Sequence, residues 1–202
     1  MSNEATTAFE GFPKIARLSR PCIITEKIDG TNGQVLIGED GSFLVGSRTQ
    51  WITPEKDNHG FARWAMDHKS ELMALGPGRH FGEWWGSGIQ RGYGLPKGEK
   101  RWSLFNVQRW CLSTETPKER LTHGGLESRL QERLPACCGL VPVLHEGLFS
   151  GGFSTVLERL RTLGSVASPG FMKPAGIIVY HVAANMGFKK TLEKDEQWKG
   201  QP

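Results

Sequence analysis

Two short apolar runs, Gln34 to Ile37 and Phe43 to Gly46, flank the segment Glu39-Asp40-Gly41-Ser42. An Asp-Gly turn between such runs predicts a β-hairpin, because glycine accepts the positive φ that a tight reversal needs. A hairpin commits its strands to antiparallel pairing, which argues against a chain built of regular βαβ units. Upstream, Cys22 to Glu26 is rich in β-branched residues and runs into Lys27-Ile28-Asp29-Gly30-Thr31-Asn32-Gly33. Arg79 to Trp85 and Arg101 to Gln108 read as strands separated by a glycine-rich loop, and Gly176 to His181 reads as a strand with Gly187 to Leu192 as its partner.

Helices are expected between these hairpins. Phe61, Trp64, Ala65, Leu72 and Leu75 fall on one helical face, with Asn58 as N-cap and Gly76-Pro77-Gly78 as the stop. A second helix is expected from Leu126 to Leu134. A third is expected from Thr155 to Leu163, where Thr155 and Glu158 have capping-box spacing and Gly164 follows the end. The predicted fold class is α+β, with antiparallel sheets flanked by helices in a single domain over residues 1–202, Leu112 to Gly125 forming a surface insertion.

Composition bounds the function. Hydrophobic residues make up 38% of the chain, with 7 Trp and 10 Phe, enough for a core and too much for disorder. No run approaches the ~18 apolar residues of a membrane span, and Glu4 and Glu10 lie where a signal peptide needs a basic flank. The expectation is a soluble, cytoplasmic protein without a membrane partner. Cys22, Cys111, Cys137 and Cys138 show no zinc-site spacing and are expected to be reduced. A net charge of +4 is compatible with a polyanionic partner and insufficient to identify one.

Lys-x-Asp-Gly alone is common in surface turns. Here it heads a series of segments in order: Thr25-Glu26-Lys27-Ile28-Asp29-Gly30-Thr31-Asn32; Ser47-Arg48-Thr49; Phe81-Gly82-Glu83-Trp84-Trp85-Gly86 with Gly88-Ile89-Gln90 and Tyr93 behind it; Phe105-Asn106-Val107; Pro174-Ala175-Gly176-Ile177-Ile178-Val179; and Phe188-Lys189-Lys190-Thr191. In this series the chain resembles the nucleotidyltransferase domain of the covalent ligase and capping-enzyme superfamily. More narrowly, it is similar to the second class of bacteriophage RNA ligases and the trypanosome RNA-editing ligases. The resemblance implies an adenylation domain of ATP-grasp-like type, and ATP with Mg²⁺ or Mn²⁺ as cofactors.

It also implies roles. Lys27 is the nucleophile that attacks the α-phosphate of ATP and carries AMP. Glu26 helps recognise the adenine edge, Arg48 contacts ribose or phosphate, and Glu83 holds the ribose hydroxyls. Phe105 stacks on adenine, Asn32 orients phosphate or hydrated metal, and Lys189 contacts the α-phosphate. Thr191 stands where a second lysine is usual, so either Lys190 takes that catalytic part or the contact is lost. Ala175 stands where the family has a metal-binding glutamate, and an alanine cannot ligate Mg²⁺.

The activity so implied is ATP-dependent RNA ligation, in an RNA-repair setting and in the host cytoplasm if the chain is phage-encoded. The partner is nucleic acid, as RNA ends or a nicked duplex, with no obligate protein partner. Little sequence follows Lys189, and the expectation is a minimal form without an appended OB-fold or helical module. Arg91, Lys97, Lys100, Arg101 and Arg109 surround the glycine-rich loop and are candidates for phosphate binding. Two alternatives are a polynucleotide ligase preferring DNA nicks and a catalytically weakened adenylate- or nick-binding module.

Overall fold

The computed structural model describes residues 10–110, 134–149, 151 and 153–193. Nine strands lie among these residues: β1 (Pro21–Lys27), β2 (Thr31–Ile37), β3 (Phe43–Gly46), β4 (Gly78–Gly86), β5 (Lys100–Leu104), β6 (Gly139–Leu140), β7 (Val143–Leu148), β8 (Gly176–His181) and β9 (Met186–Thr191). They form two sheets, in the orders β7-β1-β8-β9 and β3-β2-β4-β5-β6. The helices are α1 (Phe61–Asp67), α2 (Lys69–Leu72), α3 (Val107–Trp110) and α4 (Phe153–Leu163). The α+β expectation holds, with one change: β5 and β6 pair in parallel, so the second sheet is mixed.

The β-branched run of β1 is explained by its place inside the first sheet. It pairs antiparallel with β7 on one side and β8 on the other, and residues 22–26 are buried on both faces. Cys22 and Ile24 pack with Leu157 and Leu160 of α4, whereas Ile23 faces Val143 and Tyr180. In the second sheet, Gly33, Val35 and Ile37 alternate as buried residues on the face that α1 and α2 cover. Phe61 lies directly on Gly33, where a Cβ atom would come within 2.6 Å of the ring, so this glycine makes room for the helix.

The hairpin forms where expected. β2 and β3 pair antiparallel, Gly41 takes φ +79°, and Asp40 Oδ1 accepts a 2.9 Å bond from Ser42 N.

The helix expected over Asn58 to Leu75 is broken into α1, α2 and a 3-10 turn at Met73–Leu75, with His68 at φ −100° between the two helices. Asn58 does not cap it by its side chain, which instead donates to Thr31 Oγ1 at 2.9 Å. Asp57 does the capping, accepting from Ala62 N at 2.7 Å and Arg63 N at 3.0 Å. α4 begins at Phe153, which puts Thr155 inside the helix rather than at its cap. The strand expected to Gln108 ends at Leu104, and α3 follows, with Asn106 Oδ1 accepting from Arg109 N at 3.3 Å.

β7 was not foreseen from the sequence. The helix expected over Leu126 to Leu134, all but its last residue, lies outside the described residues, as do Cys111 and the insertion from Leu112 to Gly125. Cys22, Cys137 and Cys138 are free, and burial pushes the Cys137 thiol up to about 11. No helix among the described residues is long and apolar enough to cross a membrane.

Candidate active site

The two sheets are joined by the turn Ile28 to Gly30, which links β1 of one to β2 of the other. Strand alternation then decides what faces the space between them. On the first sheet Lys27 pairs with Gly176 and Thr25 with Ile178, which in turn pairs with Lys189. On the second, Asn32 pairs with Glu83. These side chains line a cavity of about 580 Å³ with Arg48, Phe105 and Val141. A cavity of about 640 Å³ between β7 and α4 contains none of the motif residues.

The turn carrying Lys27 is held from below. Ile28 is buried against Trp85, Tyr93 and Val141. Asp29 N donates to the Tyr93 hydroxyl at 3.0 Å, and Gly30 N donates to Glu83 Oε1 at 2.9 Å. A Cβ at Gly30 would strike the carbonyl oxygen of Trp84, so the motif's glycine permits this close approach of turn to strand. The Asp29 carboxylate pairs with Arg91 Nε at 3.1 Å. Arg91 also donates to the Lys173 carbonyl at 3.0 Å and to Glu193 at 3.2 Å, tying the lysine turn to both ends of the β8–β9 hairpin.

Glu83 accepts from Gly30 N and, through Oε2, from Asn32 Nδ2 at 3.1 Å. Burial raises its pKa above the usual carboxylate range; the Gly30 N–H, the Lys27 charge and the Asn32 amide act against that rise. Each oxygen keeps lone-pair capacity for a further donor. Phe105 is half-buried against Ile28, Trp85, Tyr93 and Val141, and with Val141 and Ile178 it makes the apolar side of the cavity. Arg48 and Lys189 are the cations that line it beside Lys27.

The structure thus brings together Lys27, Asn32, Arg48, Glu83, Phe105 and Lys189 from across the chain. Two other expected residues are placed differently. Glu26 is 1% exposed, and its side chain points to the α4 side of β1. There Oε1 accepts from Ser165 Oγ at 2.6 Å, and Oε2 accepts from Val166 N at 2.8 Å and Ala167 N at 2.9 Å. Glu26 is also among the residues lining the cavity, with its carboxylate held by the 165–167 loop. Lys190 pairs with Ile177 and alternates away from Lys189, so it lines a different cavity with Phe188; Thr191, paired with Gly176, holds the face where a second lysine is expected.

The basic residues around the glycine-rich loop are also mostly engaged within the protein. Lys100 donates to the His59 carbonyl at 2.6 Å, Arg101 pairs with Glu99 at 2.6 Å, and Arg109 donates to Leu75 and Pro77 carbonyls at 3.3 and 2.8 Å. With Arg91 on Asp29, four of the five cations suggested as phosphate ligands have intramolecular work.

The donor set does not fit a resident divalent metal. Ala175 is buried and brings no oxygen ligand on its side chain. The carboxylates nearest Lys27 are held by Arg91 (Asp29), by Gly30 and Asn32 (Glu83) and by the 165–167 loop (Glu26). Among the described residues no group of three or more His, Cys, Asp and Glu side chains could hold a metal ion.

Tyr93, Val141, Ile178 and Ser165 are parts of this site whose roles the sequence did not indicate. Ser165 meets Glu26 across 139 residues, a separation at which no local pattern signals contact.

Both the sequence and the fold are similar to those of known proteins. A sequence profile described as RNA ligase matches residues 20–194. No curated protein sequence gives a significant match. Among solved structures, Naegleria gruberi RNA ligase in a glutamate-to-alanine variant with AMP and Mn superposes with a TM-score of 0.56 at 21% identity, covering 86% of this chain and 50% of that one. A second such variant with ATP and Mn gives a TM-score of 0.57 at 18% identity, covering 87% and 51%. The complex with pyrophosphate gives 0.57 at 19% identity, covering 89% and 53%. The chain therefore spans about half the length of these ligases and shares the fold of that half. With the match covering nearly all of the described residues, the chain belongs to the RNA ligase family.

Proposed function

We propose that this chain is the nucleotidyltransferase part of an ATP-dependent RNA ligase, of the class that includes the second bacteriophage RNA ligases and the trypanosome editing ligases, with an adenylation domain of ATP-grasp-like type. The observation that carries the reading is the convergence of Lys27, Asn32, Arg48, Glu83, Phe105 and Lys189 on one cavity with an apolar wall and a cationic mouth. The Naegleria ligases are described with ATP, AMP and pyrophosphate, which are the substrate, the transferred group and the leaving group of lysine adenylation.

In the first step the neutral Lys27 Nζ attacks the α-phosphorus of ATP. The bond to the bridging oxygen breaks, pyrophosphate leaves with that electron pair, and the nitrogen gives up its proton, leaving a lysyl phosphoramidate of AMP. AMP then passes to an RNA 5′-phosphate, and a 3′-hydroxyl displaces it to form the phosphodiester. Phe105, Val141 and Ile178 give the adenine flat apolar surfaces. The remaining lone pairs of Glu83 suit ribose hydroxyls, and Arg48 and Lys189 offset the charge that builds on the phosphates. The divalent cation enters with the triphosphate as part of the substrate.

The test is to incubate the protein with ATP, Mn²⁺ and a nicked duplex bearing RNA or DNA on the 3′-hydroxyl side. Sealing of the RNA-ended nick supports the reading. Equal or better sealing of the all-DNA nick favours a DNA-preferring enzyme, and the absence of any AMP adduct favours a binding module.

Ala175 gives a second prediction. Installing a carboxylate by Ala175→Glu lowers the Mn²⁺ concentration for half-maximal adenylylation about tenfold, the scale on which metal-site partners act. A metal titration superimposable on that of the unmodified chain would show that position 175 has no part in metal use.

A further inference from the structure

Lys189 lines two cavities. One is the site just described; the other, of about 300 Å³, lies on the opposite face of β9, with Phe149, Phe153, Phe188, Lys190 and Leu18 around it. Phe188 is 52% exposed although it is aromatic, and it directly precedes the two lysines on the edge strand of the sheet. Leu18 closes the far end. Its neighbours Arg17 and Arg20 line a third concavity of about 450 Å³ together with Lys14. The segment is held in place there: His181 Nε2 donates to the Leu18 carbonyl at 2.8 Å while its Nδ1 accepts from Ala184 N at 3.1 Å, and Phe149 N donates to the Arg20 carbonyl at 2.9 Å.

Lys189 is common to the first and second cavities, and Leu18 of the second is the chain neighbour of Arg17 of the third, which orders the three along one path. Beyond the first cavity, which Glu26, Asp29 and Glu83 also line, the path is basic: Lys189, Lys190, Lys14, Arg17 and Arg20 line the second and third cavities, and among the described residues no carboxylate does. Lys14 and Arg17 have no ion-pair partner among the described residues, in contrast with the engaged arginines near the glycine-rich loop. Exposed aromatics between cations are what a single-stranded nucleic acid needs: bases stack on the rings and the backbone follows the charge.

We propose that this path is the track for a single-stranded segment of the RNA substrate, with a base against Phe188 and the phosphodiester backbone in the Lys14, Arg17 and Arg20 cradle. The choice of RNA as the polyanion rests on the ligase reading above. On this account Lys190, which alternation turns away from the nucleophile, acts on the strand rather than on the α-phosphate.

The test measures binding of 5′-phosphorylated oligoribonucleotides to the full chain at several salt concentrations, with AMP-adduct formation from ATP as a separate readout. The unmodified chain is expected to bind a long single strand more tightly than a dinucleotide. In the Lys14→Ala, Arg17→Ala, Arg20→Ala triple variant, the slope of log affinity against log salt falls by about 2, as loss of three single-strand phosphate contacts requires. Exchanging the same positions as Lys14→Arg, Arg17→Lys and Arg20→Lys keeps the slope. Phe188→Ala weakens the long strand about tenfold, as loss of one stacked base predicts, and leaves the dinucleotide unchanged. The triple variant takes up AMP at the unmodified rate, since its residues lie outside the nucleotide cavity. A salt slope in the triple variant equal to that of the unmodified chain, or affinity independent of strand length, overturns the track. Failure of the unmodified chain to take AMP removes the ligase reading instead, and the binding results decide the track on their own.

Discussion

The chain incubated with ATP and Mn²⁺ is expected to gain one adenylate in intact mass after denaturation, and Lys27→Ala is expected to gain none. Lys27 is the amine at the point where β1 enters the joining turn, on the face shared with Glu83 and Ile178. Alanine removes the lone pair that forms the phosphorus–nitrogen bond, so the loss is complete rather than partial. Lys27→Arg fails equally, because a guanidinium does not deprotonate in the accessible range. An adduct of the same yield in Lys27→Ala would move the nucleophile elsewhere, with Lys189 the first place to look.

The local part of this site was legible in the sequence because each motif is a short stretch whose geometry is set by its neighbours. Lys27 to Asn32 is a strand end, a turn and a strand start, Glu83 sits at a fixed place in a strand bounded by glycine, and Phe105 directly follows the end of another. Lys190 shows where the reading could have gone further. Once Gly187 to Leu192 is taken as a strand, adjacent lysines must face opposite sides, and Lys189 and Lys190 cannot both reach one phosphate. Asp57 and Asn58 are adjacent cap formers, and the choice between them followed from Thr31, a tertiary partner no helix-start rule includes. β7 escaped notice because an edge strand with half its residues exposed carries little apolar signal. Arg91 meets Asp29 and Glu193 across 62 and 102 residues, and such contacts exist only in the assembled fold.

Glu26→Ala is expected to unfold the protein at markedly lower temperature, and this separates two roles for a residue next to the nucleophile. A carboxylate that read the adenine edge would face the cavity, and its loss would raise the ATP requirement with little change in stability. The Glu26 carboxylate instead accepts from the Ser165 hydroxyl and from the Val166 and Ala167 amides in a pocket where it is 1% exposed. Alanine leaves three inward-facing donors without an acceptor and opens a void. At about 1–2 kcal/mol for each donor so stranded, the cost is roughly 3–6 kcal/mol. For a chain of this length that corresponds to a fall in Tm of about 6–24 °C, measurable by thermal unfolding without nucleotide. Glu26→Gln keeps one carbonyl oxygen for the loop but turns an NH₂ toward the other donors, so its fall should be smaller and still distinct. The 165–167 loop lies on the segment that leads from α4 to β8, so Glu26 ties the strand that bears the nucleophile to that segment. Its worth to catalysis is then the placement of Lys27. Unchanged Tm together with a raised ATP requirement in Glu26→Ala would return the carboxylate to the adenine.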